Sequence, residues 1–455
     1  MERRCRYRPE LCGVVLAGLL AFGMPLAQAQ DDTLKQILQR LDRLETENRA
    51  LADEVKSLRA ELAAAKGAEP KPAEPQPVED RLAVVESRVD EQAQTKVEAA
   101  NKLPLRITGM VLFNSFLNGK FNGGSENPTT AALSPAVRTS GATFRQSILG
   151  FSFNAPGSTL GAKVNGSIYF DLFGGTTASL NHLLRLRVAT LSLDWTNTTF
   201  SFGHDKPIIA PREPESLAQV GVSPLTGAGN LWLWQPQARL EQRFHFGADS
   251  GLRAQIGIYQ TSEGSTVVPA EYANAVGRGR PALQGRFEVW HRFSEHKRIE
   301  FAPGFHTSQS QVAGFNLPSR AFSLDWFVNP FEKLEFTGAF YNGENVGNMG
   351  TVRQSFTIFS DKRIVPIHAT GGWAQIAIPW TPRLSFHVFG GQHDDRDTDL
   401  LTANIAKNQA YFANWMYKIA PNIILSFEGG QVRTSYLRSG TRTNNHYDLA
   451  LAYQF

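Results

Sequence analysis

Arginine recurs at even spacing in this chain: Arg185 with Arg187, Arg239 with Arg243 around Glu241, and Arg286 with Arg292 around Glu288. In an extended strand residues i and i+2 share a face, so each set is a row of guanidinium groups on one side of a sheet. Such a row holds or steers anions, because arginine stays charged at any working pH and presents a planar fork of donors. The segment 207–229 adds Arg212, Glu213 and Glu215 between four prolines, with Ile208 and Ile209 as an apolar foot. Reactive chemistry has weaker candidates. His306-x-Ser308 puts a base and a hydroxyl on one strand face, with Gln309 or Asn316 placed to orient the ring, but polar residues at a strand end are the favoured reading. Asp395, Asp397 and Asp399 could gather oxygens around a calcium ion. They lack the turn glycine and distal glutamate of an EF-hand, and a solvated outer loop is favoured. No His/Cys metal set, no Gly-rich loop joining strand to helix and no basic nucleic-acid stripe appears, so neither a cofactor, a nucleic-acid partner nor an enzyme is expected.

The elements that must position these charges are strands. From Leu105 onward the apolar pattern has period 2. Sixteen candidate strands follow: 105–118, 142–154, 160–173, 182–195, 198–206, 230–246, 252–261, 281–294, 299–309, 319–329, 333–342, 369–380, 383–392, 406–418, 422–433 and 445–455. Their connections alternate long (119–141, 207–229, 262–280, 343–368, 393–405) and short (Pro156-Gly157, Thr196-Asn197, Asp249-Ser250, Pro330-Phe331, Thr381-Pro382, Pro421-Asn422). That parity is what a transmembrane β-barrel requires, and a sandwich or propeller gives no reason for it. Leu160, Ala162, Val164, Gly166, Ile168 and Phe170 oppose Lys163, Asn165, Ser167, Tyr169 and Asp171; Tyr447, Leu449, Leu451, Tyr453 and Phe455 oppose Asp448, Ala450, Ala452 and Gln454. Leu184 and Leu186 are out of phase with Leu191, Leu193 and Trp195, which predicts a β-bulge near Ala189.

The fold class expected is therefore all-β, a 16-stranded antiparallel transmembrane barrel over 104–455. With apolar faces outward, Lys163, Arg185, Arg187, Arg239, Arg243, Arg286, Arg292, Lys418 and Arg433 fall inward. So do Asp171, Glu241, Glu288, Asp325, Glu335, Glu428 and Asp448. A barrel of this size encloses water, and facing rows of opposite charge would select permeants by sign. Arg185, Arg187, Arg239, Glu241, Arg243, Arg286 and Asp325 are the expected pore-lining residues, with Arg212, Glu213 and Glu215 at a constriction if loop 207–229 folds inward. An ordinary exposed loop is the alternative. Loop 343–368 carries Phe356-Thr357-Ile358-Phe359, too apolar to hang in water, and should fold over the mouth or meet a neighbouring subunit.

The N-terminus differs. Residues 1–29 read as a secretory signal, with Arg3, Arg4, Arg6 and Arg8 before an apolar core and Ala27-Gln28-Ala29 as cleavage site. Cys5 and Cys12, the only cysteines, leave with it. Residues 30–66 hold a heptad seam, a at Leu34, Leu41, Asn48, Val55 and Leu62, d at Ile37, Leu44, Leu51, Leu58 and Ala65. A Pro-rich linker (67–78) and a short helical segment (79–103) follow. Residues 30–102 carry 12 Lys/Arg against 16 Asp/Glu, whereas 103–455 carry 30 against 24, so the excess of positive charge lies on the barrel. No run approaches the roughly 18 apolar residues of a membrane helix, and the mean hydropathy of −0.26 suits a barrel in which only alternate residues meet lipid.

Signal, short periplasmic coiled coil, Pro-rich linker and a 16-strand barrel ending in Phe455 together resemble the DcaP-like porins and, more distantly, the phosphate-selective porin O/P group. The resemblance implies an outer-membrane homotrimer of water-filled barrels passing small hydrophilic solutes, with a bias to anions such as dicarboxylates. It also implies outer-membrane lipid as surroundings and recognition of Phe455 by the barrel-assembly machinery. Loop 207–229 lacks the dense Lys/Arg run that phosphate selectivity would need. Asn48 at an a position with leucine at d favours two strands, against the implied trimer. A structural anchor, tethering the membrane through the coiled coil, is the alternative function.

Overall fold

The computed structural model describes residues 105–175, 182–260, 272, 276–277, 281–352 and 354–455. The signal (1–29), coiled coil (30–66), linker (67–78) and helical segment (79–103) lie outside the described residues, as do the seam positions Leu34 to Ala65.

Sixteen antiparallel strands form a closed barrel. They are β1 (Leu105–Asn118), β2 (Ile148–Thr159), β3 (Ala162–Gly174), β4 (Leu183–Asp194), β5 (Thr198–Asp205), β6 (Gln235–His245), β7 (Ser250–Tyr259) and β8 (Ala282–Ser294). The second half comprises β9 (Lys297–Val312), β10 (Phe315–Phe331), β11 (Leu334–Glu344), β12 (His368–Pro379), β13 (Leu384–Asp395), β14 (Ile405–Ala420), β15 (Ile423–Tyr436) and β16 (Gly440–Gln454). Each strand pairs with its sequence neighbour. Closure comes from β1, which pairs with β2 over Leu105–Met110 and with β16 over Met110–Asn118. Phe455 completes the seam by a reciprocal pair of backbone hydrogen bonds with Gly109, at 3.0 and 3.1 Å. Closure leaves no unpaired edge, which is the condition for placing strands in hydrocarbon.

The two faces of each strand differ as the alternation requires. Tyr447, Leu449, Leu451, Tyr453 and Phe455 are exposed on the exterior, while Asp448, Ala450 and Ala452 are buried inside. The same exposed apolar exterior runs through Ile107, Val111, Phe202, Ile256, Phe287, Phe301, Phe322, Val388 and Tyr411. A soluble barrel would have polar groups there; a belt in lipid needs none. Glycine serves packing within this surface: a Cβ on Gly166 or Gly338 would lie 2.2–2.3 Å from the ring of Phe153 or Trp326, which covers it.

Several boundaries correct the sequence expectations. The segment 310–318 is no loop. β9 and β10 run on to a two-residue turn at Ala313-Gly314, both with positive φ (48° and 82°), the mirror-image turn whose twist matches a hairpin. Residues 437–439 are likewise short, so the outer connections are not uniformly long. The turn expected at Pro156-Gly157 falls at Leu160-Gly161, after the β2–β3 register shifts between Asn154 and Ser158. The bulge expected near Ala189 is at Arg187: Tyr169 faces Val188 while Phe170 faces Leu186, so β4 carries one residue more than β3. Arg433 points outward, not into the lumen. It continues the phase of Phe427, and beyond the apolar belt the exterior face turns polar.

Candidate functional site: the lumen and its inward loop

The segment 206–234 does not hang outside the barrel. It crosses the lumen and follows the inner wall, held by wall side chains in succession. Gln284 of β8 accepts from Ile208 N (2.9 Å), Gln375 of β12 accepts from Glu215 N (2.7 Å), and Asn414 of β14 donates to Glu215 O (2.9 Å). Asn114 of β1 donates to Leu217 O (2.9 Å), Gln219 donates to Glu428 of β15 (2.9 Å), and Gln146 accepts from Val220 N and Gly221 N (2.7 Å each). The proposed apolar foot is real: Ile209 packs with Leu231, Tyr341 and Met349. Gly229, at φ +106°, approaches the wall so closely that a Cβ would lie 2.2 Å from Gly372 O. The buried amides and carbonyls of an inward loop must all find partners, and amide side chains on the wall supply them.

A second segment, 345–367, fills the outer end beside it. Met349 joins the Ile209 cluster, and Phe356–Ile358 pairs with Ile364–Pro366 as a small ribbon packed on Val312 and Leu317. Of the two readings of this apolar run, folding over the mouth is what the structure shows. Thr357 Oγ1 donates to Asp399 O, and Gln354 donates to Asp395 Oδ2 at 2.8 Å. Asp395 and Asp399 are thus buried latches rather than parts of a solvated loop. Asp395 also meets His393 at 2.8 Å, and Asp399 meets His368 at 2.9 Å. Among the described residues no group of three or more His, Cys, Asp or Glu side chains could hold a metal ion.

The charged residues sort into clusters. At the β4 bulge, Arg185 grips Asp171 through both ends of its guanidinium (3.1 and 2.6 Å) and Arg187 takes the same carboxylate at 2.8 Å. Arg187 also donates to Val220 O at 2.8 Å, and Arg185 to Gly221 O. The bulge is what lets two residues of one strand converge on one partner. Trp234 covers both guanidiniums, its ring centre 4.5 Å from Arg187 and 5.3 Å from Arg185, a cation–π arrangement.

On the facing strands Arg212 reaches from the loop to Asp325 (2.8 Å), Glu288 (3.4 Å) and Glu300. Arg286 bonds Asp325 and Glu288 at 2.7 and 2.6 Å. Arg286 and Asp325 face the interior, but the loop covers them almost completely, so they anchor it rather than line open water. Arg239 meets Asp205 (3.1 Å) at the long-loop end of β5, and nearer the short-turn end Arg243 meets Glu241 (3.1 Å), Arg253 meets Glu288 (3.3 Å) and Arg298 meets Glu300 (3.2 Å). Glu213 bonds Lys206 and Ser223, both at 2.6 Å. Desolvation pushes its carboxyl up, but the ammonium and the hydroxyl outweigh that and hold it below the ordinary value. Glu215 lies on the other side, 3.4 Å from His387. Water reaches its tip, yet the protein surrounding it desolvates the group and raises its carboxyl above the ordinary value.

Arg253, Arg298, Glu300 and Lys206 were not among the sequence candidates. Arg253 is in phase with Gln255, and Arg298 and Glu300 with Ala302 and His306, so strand parity marks them once β9 is started at Lys297. His306 bonds Gln284 and Ser319 (3.1 Å each) rather than standing as a pair with Ser308. Among the described residues no carboxylate lies within ion-pair distance of it.

These features define a closed 16-stranded barrel of membrane type with an infolded loop and an arginine-rich inner wall. No family model and no curated protein matches the chain. Solved structures do. The outer membrane channel DcaP of Acinetobacter baumannii superposes with a TM-score of 0.63 at 16% identity, over 77% of this chain and 97% of that one. An anion-selective porin from Comamonas acidovorans superposes with a TM-score of 0.51 at 12% identity, over 78% and 100%. The resemblance to DcaP-like porins that the sequence carries is therefore present in the fold.

Proposed function

We propose that the protein is an outer-membrane porin for passive diffusion of small hydrophilic solutes, biased to anions such as dicarboxylates, working as a homotrimer. The observation that carries the anion bias is the layering of charge in the lumen. At three places the carboxylate sits behind the guanidinium it pairs with: Asp171 is 0% exposed against 28% for Arg185, and Glu300 is 15% exposed against 54% for Arg298. Glu288, at 4%, lies behind Arg253 at 41%. A permeating ion meets the guanidinium first and the carboxylate through protein. Coulomb energy falls with distance, so a paired wall still presents a positive potential to water. Glu215 and Glu335 add carboxylates to the same lumen, and charges of both signs there give a field that sorts by sign. The fold shared with an outer membrane channel and an anion-selective porin agrees with this reading, and the exposed apolar belt agrees with an outer-membrane site.

Planar-bilayer recording under a salt gradient tests it. Conductance steps in groups of three with a reversal potential on the anion side are expected. Absence of conductance at every voltage would overturn the porin reading, and a cation-side reversal potential would overturn the bias.

A further inference from the structure

A cavity lies on the outside of the barrel. It measures about 650 Å³ and sits at the long-loop end of the seam between β1, β15 and β16, where Leu117 and Tyr447 mark the top of the apolar belt. Its polar end is cationic. Lys120 and Arg138 line it, and among the described residues neither has a carboxylate within ion-pair distance; the Lys120 ammonium lies over the ring of Phe121, 5.2 Å to the centroid. Asn445 and Gln431, whose side-chain amides bond each other at 2.9 Å, form one wall. Arg433, exposed and opposite the lining residue Thr443, adds a third outward cation beside the cavity. Where inner-wall arginines such as Arg185, Arg212 and Arg286 are paired with carboxylates, this outer patch gathers three cations that have none within ion-pair distance among the described residues. A second outer cavity, about 420 Å³ at Pro236, Ala238, Ile258 and Pro281, has no cation at all.

We infer that the seam cavity is a binding site for a phosphorylated glycolipid of the outer leaflet. A headgroup phosphate would sit between Lys120 and Arg138, as ammonium and guanidinium groups hold phosphate by charge-assisted hydrogen bonds. Sugar hydroxyls would meet Gln431, Asn445 and Thr443, and the acyl chains would run down the exterior past Leu117, Tyr447 and Leu449. A lipid is the occupant favoured over a soluble anion because the charged end lies directly above the apolar belt, an arrangement that only an anionic amphiphile satisfies at both ends. The inference rests on the outer-membrane reading.

The test uses the full chain in detergent, native mass spectrometry, and purified lipopolysaccharide with its enzymatically dephosphorylated form as probes. The wild type should retain the phosphorylated form and release the dephosphorylated one. The double variant Lys120→Gln/Arg138→Gln should bind the phosphorylated form at least tenfold more weakly, with unchanged single-channel conductance. The exposed variant Arg363→Gln, in loop 345–367, should bind as the wild type does. Equal retention of both lipid forms, or equal binding by the double variant, would overturn the site. So would a wild type free of lipid whose oligomer falls apart in the double variant, since the face would then be a subunit contact. A wild type that binds the lipid but never conducts would defeat the porin reading and leave this site standing.

Discussion

Two substitutions at the β4 bulge should move ion selectivity in opposite directions. Asp171 is the single carboxylate shared by Arg185 and Arg187, so the cluster carries one net positive charge. Arg187→Gln leaves the two-pronged Arg185–Asp171 pair and brings the cluster to zero. Asp171→Asn leaves two guanidiniums and raises it to +2. For a permeating ion about 8 Å away in lumen water, one elementary charge is worth roughly 0.5 kcal/mol. An anion gains what a cation loses, so the permeability ratio changes about fivefold unscreened, and about twofold once a Debye length near 10 Å at 0.1 M salt is applied. Reversal potentials in a tenfold KCl gradient read this directly. Arg187→Gln should lower the anion-to-cation ratio about two- to fivefold, and Asp171→Asn should raise it by a similar factor at low salt, with both effects shrinking at 1 M. Asp171→Asn also leaves buried cations uncompensated, which costs about 3–5 kcal/mol. The carbonyls of Val220 and Gly221 still hold both guanidiniums, so a folded but less heat-resistant barrel is expected. Shifts of the same sign in the two variants, or no shift in either, would refute the placement of this cluster on the ion path.

Other expectations follow from the same geometry. Asp325→Asn removes the carboxylate that Arg212 and Arg286 share and should destabilise the barrel by about 3–5 kcal/mol, seen as a lower temperature for the shift from folded to unfolded mobility on gels. Gly229→Ala places a Cβ 2.2 Å from Gly372 O at a positive φ; the loop must move about 1 Å toward the axis to regain van der Waals distance, so single-channel conductance should fall and flicker increase. Glu215 has a raised carboxyl pKa, so lowering the pH through it removes negative charge from the lumen and anion preference should rise as the pH falls towards the carboxylate range. Glu215→Gln should flatten this titration. Deleting Phe455 removes the hydrogen bonds to Gly109 that close the seam, and the amount of folded protein in outer-membrane fractions should drop several-fold if the assembly machinery reads that residue.

Strand number, barrel closure and the outward apolar face were legible because period-2 alternation is written into each strand, as in Leu449 to Phe455, and a slip of one residue would invert it. The phase break between Leu186 and Leu191 even located the bulge to within two residues. Pairing was not legible. Nothing in the strand pattern says that Arg185 and Arg187 share Asp171, because that depends on the register with β3 and on an extra residue whose side the sequence leaves open. The inward course of 206–234 was half legible: Ile208 and Ile209 declare an apolar foot, but its tethers (Asn114, Gln146, Gln284, Gln375, Asn414) are ordinary lumen-facing amides scattered over the chain. The hairpin at Ala313-Gly314 was missed because its first turn position is alanine, where asparagine would have announced it.

The layered charges meet two demands at once. A loop held inside a wet barrel needs strong local contacts, since it has little apolar surface to bury there, and a selective lumen needs charge on the water side. Carboxylates alone would anchor the loop and repel anions; arginines alone would repel one another and leave the loop unheld. Placing Asp171, Glu288, Glu300 and Asp325 in the wall, with Arg185, Arg187, Arg212, Arg253 and Arg298 in front, satisfies both. Arginine suits this position better than lysine, because one face of its fork can grip a wall carboxylate while another N–H holds a loop carbonyl, as Arg187 does with Asp171 and Val220. Arg187→Lys should therefore keep the charge and the reversal potential but loosen the loop. Its expected signature is flicker without a change in selectivity, the reverse of what Arg187→Gln should give.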